Sequence, residues 1–318
     1  MIAQESSEAT FENTCGQLDR AGGLLTRTQK IFYNLCSSCS GPELQAVQLK
    51  LAAPLAAHSL AIYTLPGLFP RIDAIHAKRE SLNLSPEQLR LIERLHLDFT
   101  RAGAKFSSSD QLRYSDITKR LAELTTMFTQ NVIADESEKF IELTDSDITS
   151  LPEFLQKAAK QAAEERGKTD KFVITLSRSL VVPFLQFSDR RDLREKAWRM
   201  WTMRGELDEN RDNLALAKEI LILRSEQAKM HGYKTYADYA TADTMAGTPA
   251  AVSELLERVW GPAKESADRE RTALQEFIQE ASGDIERPFQ VKIEPWDWRF
   301  YAEKVRNTKY NLDEVTRT

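Results

Sequence analysis

The sequence predicts a mostly α-helical protein, and three observations carry that reading. Gly numbers only 12 and Pro only 11 in 318 residues, so punctuation between segments is sparse. Apolar residues recur at three- and four-residue steps in segment after segment, the spacing that places them on one helix face. Helix-start signals, a short polar residue followed by Pro or by Glu/Gln, stand ahead of several of these runs.

A first helix is predicted from near Thr10, with Glu8 and Glu12 close to its positive end. Its face is Phe11, Cys15, Leu18, Gly22 and Leu25; Gly22-Gly23, inside that pattern, reads as small residues that let helices pack closely. A second follows Gly41-Pro42 and carries Leu44, Val47, Leu51, Leu55 and Leu60, with Pro54 placed to kink or split it. Ser85-Pro86-Glu87-Gln88 is a capping box with Pro in the first turn. The helix it opens shows Leu89, Ile92, Leu95, His96 and Phe99 and is expected to end at Gly103. Ser107-Ser108-Ser109-Asp110 opens a long helix whose row is Ile117, Leu121, Leu124, Phe128 and Val132, close to a heptad. Ser150-Leu151-Pro152 opens another, closed by Gly167.

Residues 171–187, KFVITLSRSLVVPFLQF, differ: they are rich in β-branched and aromatic residues, and Phe172, Ile174 and Leu176 alternate with smaller or polar neighbours. A short strand pair or extended segment is predicted there, confined to an edge by Pro183. The composition shift near 168–170 is the expected seam between two helical sub-regions, 1–168 and 169–318. Helices resume after Ser188 in a basic segment containing Arg191, Arg194, Lys196, Arg199 and Arg204. Asp212 or Asn210 caps a helix over 213–230 with Leu214, Ala217, Ile220, Leu221 and Leu223 inside, and Gly232 stops it. Thr248-Pro249 opens a last long helix with Val252, Leu255, Leu256, Val259 and Trp260, bent by Pro262. Residues 295–318 carry aromatics and a charged helical pattern into a polar tail. No internal repeat or low-complexity segment breaks the series.

Hydrophobic residues make up 42% and charged residues 29%, the balance of an ordinary globular chain. Net charge is −5 and no basic stripe interleaves with aromatics, so nucleic acid is not expected as a partner. No apolar run reaches the roughly 20 residues of a membrane helix, so no membrane partner is expected. The opening MIAQESSEATFENT lacks a basic stretch followed by an apolar one, so no signal peptide is expected. An odd set of three cysteines, Cys15, Cys36 and Cys39, suits a reducing, cytoplasmic setting.

No chemistry declares itself. The histidines are His58, His76, His96 and His231, and no two have the i, i+4 spacing that sets a pair of imidazoles on one zinc from one helix. Cys36-Ser-Ser-Cys39 is a lone C-x-x-C at a helix end, without a βαβ context or a second pair; two small apolar residues near a turn is the preferred reading. There is no G-x-S-x-G elbow, no P-loop and no G-x-G-x-x-G. Acidic runs such as Asp208-Glu209 and Glu164-Glu165 read as solvated faces. Trp296, Trp298, Phe300 and Tyr301 could line a peptide groove, but packing is the preferred role. The residues alone nominate no catalytic or metal-binding side chain and leave substrate-binding residues unassigned.

Six colinear stretches nevertheless form a pattern: TFENTCGQLDRAGGLLTR at 10–27, LAAPLAAHSLAIY at 51–63, LRLIERLHLDFTRAGA at 89–104, RGELDENRDN at 204–213, ILRSEQAKMHGYKTYADYATADTMA at 222–246 and PWDWRFYAEKVRNTKYNLDE at 295–314. In order and spacing they resemble the N-terminal half of the peptidyl-dipeptidases, or dipeptidyl carboxypeptidases, of the zinc metallopeptidase family that includes thimet oligopeptidase, neurolysin and oligopeptidase A. The likeness covers nearly the whole chain, and the first three stretches bring it closer to peptidyl-dipeptidase than to thimet oligopeptidase.

The resemblance implies an almost wholly helical, two-lobed fold divided by a deep channel. It implies hydrolysis of short, unstructured peptides, with release of a C-terminal dipeptide in the peptidyl-dipeptidase branch. The family holds zinc with two His of an H-E-x-x-H helix and a downstream Glu; the motif Glu is the general base and zinc polarises the scissile carbonyl.

Here the sequence departs from the family. H-E-x-x-H does not occur in residues 1–318, and the family places it beyond the segment matching KYNLDE. Relatives also usually carry a leading segment before the stretch matching TFENT. The expectation is an N-terminal, non-catalytic portion that supplies one wall of the channel, is inactive alone, binds no zinc itself and has the catalytic half as its partner. The alternative is a naturally truncated, catalytically silent helical module that binds peptides or another protein. A third possibility is an endopeptidase of the oligopeptidase A type, which differs in how the substrate end is read.

Overall fold

A computed structural model describes residues 2–38, 42–282 and 292–310. Contacts divide the chain into two compact units, Met1–Asp116 and Ile117–Thr318. The mostly helical expectation holds: among the described residues the only sheet has two strands.

In the first unit, Thr10 is an N-cap whose hydroxyl accepts from the Asn13 N–H while the Asn13 side chain reaches back to the Thr10 N–H. The box opens one wide turn, Phe11–Cys15, that continues as α1, Gly16–Arg20. The chain then breaks at Gly22, whose φ of +70° is a left-handed conformation that glycine takes at little cost. A Cβ added at Gly22 or Gly23 would meet nothing within 4 Å, so these glycines make a turn and not the close helix contact the pattern suggested. After it come α2, Gly23–Ser38, and α3, Pro42–Tyr63, which runs through Pro54 without splitting. Next are α4, Leu68–Lys78, and α5, Pro86–Arg101. The Ser85/Gln88 capping box opens α5 as predicted, and Gly103, at φ +91°, turns the chain away beyond its end.

Burial follows the helix period. Ile92 and Phe99 of α5 are buried; Ile92 packs with Cys15 and Ile75, and Phe99 with Leu68 and Ile72. Arg71 of α4 fastens the leading residues. Its Nη1 donates to the carbonyls of Glu5 and Ser7 at 2.8 and 2.9 Å, its Nη2 to Asn13 Oδ1 at 2.9 Å and its Nε to Thr14 Oγ1 at 3.2 Å.

The long helix α6 is Ser108–Glu138; Ser107 accepts from the Asp110 N–H at its start. Its Ile117 and Leu124 are buried against Ile220 and Leu223 further along the chain. Strand β1, Phe140–Leu143, follows, then the short α7, Asp145–Ile148, and α8, Glu153–Glu164. Gly167, at φ +68°, terminates α8. Strand β2, Phe172–Thr175, pairs antiparallel with β1, from Phe140 opposite Thr175 to Leu143 opposite Phe172.

The strand pair expected within 171–187 is therefore half right. One strand lies there, but its partner is 140–143, and 178–187 is helix α9, Arg178–Phe187. Two periods meet in this stretch. Alternation ends at Leu176, whereas Leu180, Val181, Phe184 and Leu185 have helix spacing and are all buried. Pro183 removes one N–H from the helix interior, and the buried face outweighs that loss. Residues 168–170, where composition shifts, form the turn from α8 into β2, inside the second unit.

The remaining elements are α10, Arg191–Thr202; α11, Asn213–Met230; α12, Tyr236–Thr241; α13, Pro249–Ser282; and α14, Pro295–Tyr310. Asp212 caps α11, its carboxylate accepting from the Leu214 N–H at 2.8 Å, and Gly232, at φ +80°, follows its end. The main core gathers Ile141, Leu155, Ile174, Val181, Phe184 and Trp296 between the sheet and α8, α9 and α14. Among the described residues no helix is long and apolar enough to cross a membrane.

Candidate functional site

A buried polar arrangement of the second unit joins α10 to α14. Pro295 opens α14, and Trp296, Asp297, Phe300 and Glu303 fall on one buried face at helix spacing. Asp297 sits in the first turn, where the helix dipole favours a negative charge. Arg194 donates from Nη2 to Asp297 Oδ1 at 2.9 Å, from Nε to the Trp296 carbonyl at 3.2 Å and from Nη1 to the Ser188 carbonyl at 2.7 Å. Arg191 adds Nη2 to Asp297 Oδ2 at 2.8 Å, and the Glu294 N–H donates to the same oxygen at 3.2 Å.

Aromatic faces close over these charges. The Arg194 guanidinium lies 4.1 Å from the centre of the Phe300 ring. Trp198 meets Trp296 edge-on, with ring centres 5.7 Å apart. One turn on, Glu303 accepts from Gln186 Nε2 at 2.8 Å and pairs with Arg306. Burial alone raises the Asp297 carboxyl, but hydrogen bonds from Arg191, Arg194 and the Glu294 N–H reverse this and hold it below the ordinary carboxylate range. A carboxylate so held is a clamp and not a proton donor. Trp296 and Phe300 are buried in this packing, which is the role preferred for them on sequence.

A second arrangement fastens the RGELDENRDN stretch to the end of α6. Buried Asp135 accepts from the Gly205 N–H at 2.7 Å and the Leu207 N–H at 3.3 Å. Asn213 donates its N–H to the Gly205 carbonyl at 2.8 Å and its side-chain amide to the Phe128 carbonyl at 3.1 Å. Asn131 donates to the Asn213 side-chain oxygen at 2.9 Å. Arg204 pairs with Glu136, and Arg211 with Glu138 and Asp208. Gly205 is held at φ +89°, and a Cβ there would collide with the Asn213 side-chain nitrogen. The acidic pair Asp208-Glu209, read as a solvated face, divides: Asp208 caps a 3-10 turn by accepting from the Asn210 N–H, and Glu209 heads that turn.

The four histidines lie in three places. His58 is exposed and lines a cavity of about 930 Å³ with Gln17, Leu18, Ile62, Leu65 and Leu68. His231 stacks on Tyr239, ring centres 5.1 Å apart. His76 of α4 and His96 of α5 stack face to face, centres 3.7 Å apart and planes within 4°. His96 Nε2 lies 2.9 Å from Asp73 Oδ1, where the ring N–H donates.

This stack does not fit a zinc ion. Ring-nitrogen lone pairs lie in the imidazole plane, and two parallel planes 3.7 Å apart cannot both aim at one ion at about 2.0–2.1 Å. Among the described residues no group of three or more His, Cys, Asp or Glu side chains could hold a metal ion. Cys15 and Cys36 are buried free thiols, and burial pushes the Cys15 thiol up to about 11. Cys39, the second cysteine of C-x-x-C, lies outside the described residues.

The sequence reading missed Asp135, Arg194 and Asp297 because each is a common charged residue on a helix, where exposure is the ordinary fate. Two signals existed. Asp297 follows a Pro-Trp helix start, and Gly205 and Asn213 bracket an acidic-basic run inside a recognisable stretch.

Residues 184–317, which hold α10, α14 and the RGELDENRDN stretch, match Peptidase family M3. The chain is 32% identical to the dipeptidyl carboxypeptidase of Escherichia coli over 315 residues, 99% of this chain and 45% of that protein. It is 30% identical to oligopeptidase A of Haemophilus influenzae, over 96% of this chain and 44% of the relative. Oligopeptidase A of Escherichia coli is 25% identical over 98% of this chain and 46% of its own length. The chain thus spans a little under half the length of the curated relatives it matches. Along nearly all of its own length it is similar to the dipeptidyl carboxypeptidases and oligopeptidases A, and residues 184–317 of its second unit carry the match to Peptidase family M3.

Proposed function

We propose that residues 1–318 form the helical, non-catalytic portion of a zinc-dependent peptidyl-dipeptidase that hydrolyses short peptides and releases C-terminal dipeptides in the cytoplasm. One observation carries this reading. The likeness to dipeptidyl carboxypeptidase runs through 99% of the chain and 45% of the relative, yet no H-E-x-x-H occurs in that span. In this reading the zinc ligands and general base belong to polypeptide outside residues 1–318, with which this portion lines the peptide channel. The higher identity to dipeptidyl carboxypeptidase than to oligopeptidase A favours dipeptide release over internal cleavage.

The residues of this chain supply rigidity. The Arg194–Asp297 clamp fixes α14 to α10, and Asp135 fixes the 204–213 stretch to α6. Helix α13 has a different character. Leu255, Leu256, Val259 and Trp260 stand on successive turns and are each more than half exposed. An apolar stripe of this kind is ordinarily covered, and the reading assigns its cover to the catalytic portion. The purified chain is therefore expected to bind a hydrophobic dye and to self-associate. A clean monomer without dye binding counts against this assignment.

The test is the mass and activity of the protein isolated from its source. A mass roughly twice 36 kDa, as 45% coverage implies, with zinc-dependent dipeptide release supports the reading. A mass near 36 kDa without peptide hydrolysis replaces it with a silent binding module.

A further inference from the structure

The first unit contains a titratable contact that the proposed peptidase function does not use. His76 of α4 and His96 of α5 stack with ring centres 3.7 Å apart and planes within 4°. Phe69, two turns earlier on the same face of α4, lies 5.7 Å from the His96 ring. The imidazoles are the aromatic layer between the two helices at this level, where a pair of Phe or Leu side chains would ordinarily pack.

The charges around the stack are unevenly placed. On α4, Asp73 offers Oδ1 to His96 Nε2 at 2.9 Å. Lys105, just after α5, reaches the same oxygen at 3.4 Å and stands over the Phe69 ring at 6.0 Å. Arg79, at the end of α4, folds back onto the His76 carbonyl at 2.9 Å. On α5, Arg90 pairs with Glu93 and Arg94 with Asp98, while Glu87 stands in the first turn and Arg101 in the last. On the side of α4 packed on residues 2–15, Lys78 pairs with Glu8, while Arg71 is spent on backbone carbonyls and on Thr14 and Asn13. Among the described residues, Asp73 is the one carboxylate in contact with the stack, and it is shared with Lys105.

We propose that the His76–His96 stack is an acid-operated latch between α4 and α5: it holds with no more than one proton on the two rings and is forced apart when the second ring is charged. Two imidazolium rings at this separation repel, and the single shared carboxylate leaves one of them without a counter-ion. Burial is the first cause that holds His76 below the ordinary histidine value of 6.5, followed by the charges of His96, Arg79 and Lys105 and opposed by Asp73. An opened His76 ring regains the ordinary value, so the open form binds the proton first. The latch is fully closed above about pH 6.5 and loosens as pH falls from there towards the value of His76 itself, by up to about tenfold in open population per pH unit. The proton is the ligand, and the first unit is the element it biases.

The experiment uses the full chain. Proton NMR titration of the four histidine rings gives each midpoint, and hydrogen exchange at pH 7 and pH 5, corrected for intrinsic rates, reports opening of α4 and α5. His76 is expected to titrate below 6.5 in the wild type and to move up in His96→Gln. Exchange in α4 and α5 is expected to speed up at pH 5 in the wild type. In His76→Phe, which keeps an aromatic face but cannot take a proton, it should stay flat. A wild-type His76 midpoint at or above 6.5 overturns the proposal. So does equal acid sensitivity of α4 and α5 in the wild type and His76→Phe. Should His76→Phe fail to fold, the His76 midpoint in the wild type and in His96→Gln decides alone.

Discussion

Arg194 and Asp297, 103 residues apart in sequence, meet in the interior of the second unit with Nη2 2.9 Å from Oδ1 and almost no solvent on either side chain. Such a pair is conditional. While both partners are present the desolvation of each charge is offset, and removing one strands the other. Asp297→Ala is expected to lower stability by about 3–5 kcal/mol. Replacing both partners with apolar residues of similar volume, Arg194→Met with Asp297→Leu, should recover much of that loss. Urea denaturation of the three proteins checks both statements.

Acid should dissolve the same clamp. The Asp297 carboxyl lies below its ordinary value in the folded chain, so the unfolded chain takes up the proton first. The contribution of Asp297 to stability is complete above the unfolded value, about 3.9, and disappears as pH falls through the folded one. Between pH 5 and pH 2.5 the wild type should lose more stability than Asp297→Asn. Parallel curves for the two proteins would show that the carboxylate does not carry the acid response.

The 204–213 stretch rests on a backbone conformation and one buried acceptor. Gly205→Ala must hold a side chain at φ +89° against the Asn213 amide, so a loss of at least about 1–2 kcal/mol is expected. Asp135→Ala leaves the Gly205 and Leu207 N–H groups without their acceptor and should cost a similar amount. Limited proteolysis should then cut first within 204–212. Unchanged cleavage patterns would mean that the stretch is held by Arg204–Glu136 and Arg211–Glu138 instead.

The fold was more legible than the clamps, and the reason is local. Ser85-Pro86-Glu87-Gln88 works as a capping box because every partner lies within four residues. The starts of α6 at Ser107, α11 at Asp212 and α13 at Thr248 are local in the same sense. The strand pair was read only in part because β1 lies some thirty residues before β2, and FIEL between a helix end and a cap carries almost no periodic signal. Gly22-Gly23 was read as a packing site because apolar spacing continues across it; only the left-handed φ of Gly22 separates a turn from a contact. The pairs Arg194–Asp297, Asp135–Gly205 and His76–His96 depend on which helices are neighbours, which helix periodicity does not specify. The RGELDENRDN and PWDWRF stretches carry the resemblance, and the structure adds why their residue types matter: the second contains a buried charge, Asp297, and the first contains Gly205 and Asn213, which are buried where the stretch meets Asp135 and Asn131.

The α5 capping box offers a small, clean test. Ser85 Oγ accepts from the Gln88 N–H at 3.2 Å, and Gln88 Oε1 accepts from the Ser85 N–H at 2.9 Å. Ser85→Ala should cost about 1 kcal/mol and fray the first turn of α5, seen as faster amide exchange at Leu89 and its neighbours. Because α5 carries Ile92 and Phe99 into the core of the first unit, a loss confined to the first turn would separate capping from packing.

In the proposed function these residues are scaffold for a peptidase whose chemistry lies elsewhere in the polypeptide. The most direct test incubates the pure chain with a short N-blocked peptide, with and without zinc, and follows the products by mass spectrometry. An intact peptide is expected under both conditions. Release of a C-terminal dipeptide that requires zinc and stops on chelation would contradict it, and would place a working metal centre within residues 1–318.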